Sequence, residues 1–296
     1  MSAVPVVMRL PVLVFAAGLA VLAGCGTTTG GQPPSPSARP TSAASAPSSG
    51  TPVPSSGTPG PSGTCAAGGI YLTAIRTGQH AGFDRVVFQF SGGLPAYTAS
   101  TVKTVYSDAK GDAVPLPGQM LLRVVFRGAT AWCSGAGSRT YTGPSVLTPY
   151  YPRLLAVSAA GDFEQVLSFG VGLAASGSYR IYTVVGPDRV VLDVSHVTLG
   201  RFPGIWDITS WQQYWKAQYA WGNGHQSWLG SPGMVVQAWA RSRWHTTPVV
   251  RQAGAGTFQV TEPGGRVDTV TGARPVTVPG PWVITKITYG AAQASP

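Results

Sequence analysis

Four histidines, His80, His196, His225 and His245, are the side chains best suited to metal or acid–base chemistry, and their spacing argues against both. None lies four residues from another, as a zinc-binding helix needs, and two fall in each half of the chain. There is no Gly-x-Ser-x-Gly elbow for a serine nucleophile, no His-Glu-x-x-His helix and no Cys-x-x-Cys pair. Gly170-x-Gly172-x-x-Ala175 has the letters of a dinucleotide fingerprint, but it sits among strand-like residues with no helix after it to receive a pyrophosphate. Glycoside cleavage needs two carboxylates roughly 5 to 9 Å apart. The C-terminal part offers only Asp207, Glu262 and Asp268, two of them beside turn signals. His225, close to Trp228 after a glycine turn, is the best single candidate there, set against a plain capping or packing role. The expectation is a non-enzyme with no cofactor and no bound metal.

The cysteines are more informative. Met1 to Arg9 carries one positive charge, at Arg9, and an apolar run follows from Leu10 to Leu22. A charged start, a short apolar core and small residues after it make a secretory signal, because the core falls short of the ~20 residues that cross a bilayer. Leu22-Ala23-Gly24-Cys25 at the end of that core resembles the lipobox of bacterial lipoproteins. The resemblance implies removal of residues 1–24 and lipidation of Cys25, which would hold the protein at the outer face of the cytoplasmic membrane. Two or more chains, at ~0.8 kcal/mol per buried CH₂, anchor firmly where one does not. The alternative is an ordinary signal peptide with an incidental cysteine.

Cys65 and Cys133 then remain, and outside the membrane two cysteines in one domain are expected to pair. Closing that loop would restrict the unfolded chain by about 4 kcal/mol on the entropic account. Two free thiols are the alternative, since spacing alone does not show that the Cα atoms approach. Residues 25–66 read as a disordered linker: from Gly26 to Gly63 nearly every residue is Gly, Ser, Thr, Pro, Ala or Gln, with Arg39 the one charge. About 40 such residues reach roughly 35 Å.

The whole chain has 20 Lys and Arg against 10 Asp and Glu, a net charge of +10 that favours anionic neighbours such as headgroups or acidic wall polymers. The excess is diffuse, with no basic run, so a nucleic-acid partner is not expected. The Arg, Ala, Gly, Pro and Val enrichment is that of a GC-rich genome and carries little about mechanism.

Residues 67–200 must position whatever binds in the first folded part, and they read as strands. Ile70–Arg76 and Arg85–Phe90 flank a Gly/His/Asp turn; Met120–Phe126, Leu154–Ala159, Phe163–Gly172, Tyr179–Val185 and Arg189–Val194 follow. Each is short, rich in Val, Ile, Phe or Tyr and bounded by turn residues, as in an all-β sandwich or barrel. His80-Ala81-Gly82-Phe83-Asp84-Arg85-Val86-Val87-Phe88 resembles a signature of the AMIN-like domain of actinobacterial secreted proteins. Gly161-Asp162-Phe163-Glu164 with Gly170-Val171-Gly172-Leu173, and Pro187-Asp188-Arg189-Val190-Val191-Leu192-Asp193-Val194, are similar to its second signature and closing strand. The resemblance implies a sandwich of two small sheets and kinship with AMIN domains that localise wall enzymes by binding envelope components. It brings no catalytic residues. Asp84 could accept turn hydrogen bonds and Arg85 could pair with Asp193 or Glu164, fixing a loop. Alternatively Arg76, His80, Asp84 and Arg85 form a ligand-binding edge.

Residues 205–290 read as a small α+β domain. Ser210-Trp211-Gln212-Gln213 is a capping box opening a helix to about Trp221, and Ser231-Pro232 caps a second whose apolar stripe is Val235, Val236, Trp239 and Ala240. Strands follow at Thr257–Thr261, Arg266–Thr271 and Trp282–Tyr289. Two stretches, Gly224-His225-Gln226-Ser227-Trp228-Leu229 and Gly280-Pro281-Trp282-Val283-Ile284-Thr285, look similar to an uncharacterised module of other actinobacterial envelope lipoproteins, which implies no activity. Seven tryptophans crowd from Trp206 to Trp244. Trp215 and Trp239 are assigned to the core, while Trp221 and Trp228, with His225, remain candidates for binding.

The expected function is non-catalytic binding or scaffolding at the cell wall. Its partners would be the membrane, through the lipid, and peptidoglycan or an anionic wall polymer. The alternative is an inhibitor or accessory subunit of a secreted envelope enzyme, meeting that protein through the Trp-rich module. A hydrolase with an unrecognised site there is the third reading.

Overall fold

Every second residue over Phe83–Phe90 is buried, so one face of this strand must meet a second layer. The computed structural model describes residues 65–244 and 247–291. The signal peptide, Cys25, nearly all of the linker and His245 lie outside the described residues. The first part contains β1 (Ile70–His80), β2 (Phe83–Ser91), β3 (Ala96–Val102), β4 (Met120–Arg127), β5 (Ala129–Thr130) and β6 (Trp132–Cys133). It continues with β7 (Ser138–Arg139), β8 (Val146–Leu147), β9 (Leu154–Phe163), β10 (Val166–Leu173), β11 (Tyr179–Val184) and β12 (Arg189–Ser195). One five-stranded sheet runs β11-β12-β2-β1-β5, the other β3-β4-β10-β9-β8. Between them lie Leu72, Val86, Phe88, Leu122, Val124, Phe126, Phe169 and Leu192, all buried. Phe88 meets Phe126 and Phe169 with ring centroids 5.0 Å apart in both cases, in the tilted and edge-on geometries that aromatic quadrupoles favour. The expected all-β sandwich is borne out.

The expected disulfide is present. Cys65 is bonded to Cys133 with Cα atoms 5.1 Å apart, closing a sequence separation of 68 residues.

Expectation and structure part at one hairpin. Phe163 ends β9 rather than opening the next strand, and the turn is made by Glu164 and Gln165 at φ of 48° and 58°. The glycines of the false dinucleotide fingerprint also find their explanation. β10 is buried on both faces, because the loop before β4 lies across it. A Cβ on Gly172 would stand 2.2 Å from the Pro117 carbonyl oxygen, and one on Gly170 would stand 2.6 Å from Leu116 Cδ1. Gly170 and Gly172 admit a covering loop; they do not cradle a phosphate.

The C-terminal part comprises α1 (Trp211–Gly222), a 3-10 turn at Ser227–Gly230, α2 (Pro232–Trp244), β13 (Val249–Gly254), β14 (Thr257–Thr261), β15 (Val267–Ala273) and β16 (Val283–Thr288). The antiparallel sheet β13-β14-β15-β16 packs against α2, giving the expected small α+β unit. Ser210 caps α1 through Gln213 N at 3.3 Å, but the Gln213 side chain reaches the Thr209 amide at 2.7 Å rather than that of Ser210. The reciprocal half of the capping box is thus displaced by one residue. Trp215 and Trp239 are core residues, 2% and 4% exposed. This second core also takes in Leu155 of β9 and Ala174, so it includes residues of the sandwich. Gln218 of α1 joins the two parts as well: its Oε1 accepts from Gly118 N at 2.8 Å and its Nε2 donates to the Pro279 carbonyl at 3.0 Å.

Candidate functional site

Sandwich strands carry two sets of side chains, and only the outward set can meet a ligand. On β2 the inward set is Asp84, Val86, Phe88 and Phe90; the outward set is Phe83, Arg85, Val87 and Gln89. Register then decides what joins them. Arg85 lies opposite Asp193 of β12 and Gly78 of β1, Arg76 lies opposite Val87, and His80 opposite Phe83. Arg180 of β11 lies opposite Asp193 from the other side. The outer face of this sheet therefore carries Arg76, His80, Phe83, Arg85, Arg180 and Tyr182 with one carboxylate, Asp193, among them, and Arg76, His80 and Arg180 are exposed. Three of the sequence candidates, Arg76, His80 and Arg85, come together here.

The cluster is built on a fork. Arg85 gives Nε to Asp193 Oδ1 at 2.7 Å and Nη2 to Oδ2 at 3.0 Å, the bidentate geometry that a guanidinium makes with a carboxylate. The sequence had offered Asp193 or Glu164 as this partner; Asp193 is the one. Arg180 adds a bond to Asp193 Oδ2 at 3.1 Å, and the Tyr182 hydroxyl another at 3.2 Å. Burial pushes the Asp193 carboxyl up, but the Arg85 and Arg180 hydrogen bonds outweigh it and hold the group below its ordinary range. The same bond to Asp193 raises Arg85, against a smaller opposing effect of burial. Arg85 also lies 5.0 Å from the Phe83 ring centre and Arg180 4.6 Å from that of Tyr182. His80 stacks on Phe83 at 4.7 Å. Arg76 donates to Gln89 Oε1 at 2.6 Å and faces no carboxylate across its strand pairs. One acid serves both Arg85 and Arg180, so the cluster keeps a net positive charge, with Arg180 largely exposed and Arg76 bonded only to Gln89. A shallow cleft of about 350 Å³ beside them is lined by Gly82, Phe83, Ser178, Arg180, Asp193 and Ser195.

Asp84 stands apart from the other candidates. It faces inward, fully buried, and its Oδ2 accepts from the backbone amides of Arg153 (2.8 Å) and Leu154 (2.9 Å). Its Oδ1 meets His196 Nε2 at 2.8 Å. A side chain so enclosed ties β2 to the start of β9 and has no oxygen turned to the outer face. Arg153, unremarked in the sequence, is fully buried beside it and gives Nη1 to the carbonyls of Ser178 (2.7 Å) and Ser195 (2.6 Å). Burial lowers its affinity for the proton, and the Asp84 charge opposes that effect. Nothing in its local sequence, Tyr-Pro-Arg-Leu, distinguishes it from an exposed arginine.

The C-terminal candidates occupy a different region. Trp221 and Trp228 are partly buried against the second core. His225 is exposed, and its amide donates to the Ala220 carbonyl at 2.9 Å while Gly224, at φ 80°, turns the chain out of α1. This is the helix-ending motif that glycine favours, which accounts for Gly224-His225 as a stop signal. Glu262 and Asp268 are both bridged to Arg266, and the Gly290 amide donates to Asp268 Oδ1 at 3.1 Å. That pairing occupies two of the three carboxylates considered for acid–base work. Among the described residues no three His, Cys, Asp or Glu side chains converge as a metal site would require.

No curated protein and no solved structure matches the chain. Residues 70–196, from the first residue of β1 to the His196 that meets Asp84, match the model of the AMIN-like domain.

Proposed function

We propose that this is a lipid-anchored envelope protein that binds anionic or glycan polymers of the wall, without catalysis, through the open outer face of its first sheet. The observation that carries this reading is the two exposed cations Arg76 and Arg180, on β1 and β11, sharing one outer face with Phe83, His80 and Tyr182 on an AMIN-like sandwich. Guanidinium groups meet acidic groups of a polymer, and flat rings offer a surface to sugars. The lipobox-like Cys25 supplies the anchor in this reading, and the linker lets the sheet work away from the lipid. The accessory-subunit alternative draws less support, because Trp215 and Trp239 are core and Trp221 and Trp228 pack partly onto it.

Two measurements test the reading. Arg76→Glu lowers sedimentation with purified wall material at low salt and leaves the melting temperature unchanged, since the side chain is exposed. The difference from wild type vanishes near 1 M salt, where the Debye length is about 3 Å. Undiminished binding by Arg76→Glu at low salt removes this face from the site. Cys25→Ala releases the protein from the membrane fraction or leaves it as unprocessed precursor. A variant that is still lipid-labelled and membrane-bound overturns the anchor.

A further inference from the structure

We propose that the end of the sandwich that carries the disulfide is a lipid-docking surface, inserting Trp132 and Phe163 among the anionic headgroups of the membrane that holds the tether. Phe163 is 70% exposed and Trp132 47% exposed. Both belong to one end of the fold, and Asp162 brings them there. Its carboxylate accepts from Thr130 Oγ1 at 2.8 Å and from the Ala131 amide at 2.9 Å, which fixes the β9–β10 turn against the segment leading to Trp132. The Gln165 carbonyl accepts from the Gly128 and Ala129 amides at 2.8 and 3.1 Å. A tip pinned on both sides cannot fold its ring back onto the core, so Phe163 is presented to solvent by design of the backbone.

Three features select lipid as the occupant. The Cys65–Cys133 bond fixes where the chain enters the sandwich, next to Trp132, and the proposed anchor lies 40 residues before Cys65 at Cys25. Two exposed arginines flank the rings: Arg127 is paired with Val166 at the start of β10, and Arg139 is paired with Trp132 itself. Trp and Phe beside Arg are what a membrane interface accommodates, rings at headgroup depth and charge on phosphate. The inference rests on the proposed anchor only for the choice of membrane.

The test omits the anchor. Both cores lie between Ile70 and Ile287, so a chain of residues 26–296 made without its leader keeps every packed element. That chain is sedimented with phosphatidylglycerol vesicles and with phosphatidylcholine vesicles. The expected result is co-sedimentation with the anionic vesicles, weakened roughly tenfold in Trp132→Ser/Phe163→Ser, as the loss of two half-buried rings implies. Phe163→Ser alone serves if the double variant melts early. Arg76→Glu, which probes the wall-binding face, sediments with vesicles like wild type, so the two readings fail separately. The proposal is overturned if the wild-type chain does not bind anionic vesicles or if the double variant binds them equally. It is also overturned if the aromatic substitutions abolish binding to wall material and leave vesicle binding intact, which would assign the rings to glycan.

Discussion

Asp84→Ala is expected to cost about 3 to 5 kcal/mol and to lower the melting temperature by about 10 °C, with no direct effect on the outer face of the first sheet. The substitution leaves the Arg153 and Leu154 amides without an acceptor inside the fold. It also removes a carboxylate whose charge acts favourably on the fully buried Arg153. Each orphaned amide alone is worth about 1 to 3 kcal/mol, and an unpaired buried charge adds to that. Asp84→Asn keeps one carbonyl oxygen for the amides and loses the charge, so its cost falls between wild type and Asp84→Ala. Chemical denaturation of the three proteins measures this order. A loss below about 1 kcal/mol for Asp84→Ala would contradict the role assigned to the carboxylate.

Leu155→Ala is the second large effect, about 2 to 5 kcal/mol from lost burial and the cavity left behind. Its particular interest is where the loss is felt. Leu155 belongs to β9 of the sandwich, yet its side chain packs in the core built by Trp215, Trp239, Val260 and Ile284. With Gln218 holding Gly118, the shared core makes the two parts unfold together. Tryptophan fluorescence reports almost wholly on the C-terminal part, since eight of the nine tryptophans lie from Trp206 to Trp282. Far-UV circular dichroism reports on strands throughout. The expectation is one coincident transition by both probes, in wild type and, at lower denaturant, in Leu155→Ala. Separate transitions in wild type would mean that the parts are independent.

The strands legible in the sequence are those with a core to face. β2 alternates because its inward set fills the sandwich, and β12 is nearly continuous in Val and Leu. β3 and β13 escaped the reading, and both are edge strands. Ala-Tyr-Thr-Ala-Ser-Thr-Val and Val-Val-Arg-Gln-Ala-Gly bury little, so no hydrophobic period marks them; only pairing with β4 and β14 makes them strands. The turn at Glu164-Gln165 was hidden for another reason. Neither residue is a usual occupant of positive φ, and the bonds from Gly128 and Ala129 that hold the turn come from another part of the chain.

The candidate site divides along the same line. Arg76, His80 and Arg85 were visible as polar residues around a turn, but the choice of Asp193 over Glu164 as partner was made only by strand register. Which side each faced depended on register, because one residue along a strand reverses the face. Asp84 and Arg85 are neighbours in sequence; one is sealed in the interior and the other lies on the surface. Arg153 shows the limit most plainly. Three carbonyls from the segments after β10 and at the end of β12 satisfy it, at separations of 22 to 42 residues. Local composition determined the sandwich class, the disulfide's partners, the two helices and the core roles of Trp215 and Trp239, because these depend on period, count and side-chain size. The covering loop over β10, the shared core at Leu155, the buried bonds from the Arg153 and Leu154 amides to Asp84 and the joint exposure of Trp132 and Phe163 were decided by tertiary structure. Each depends on which distant backbone groups arrive at the same place.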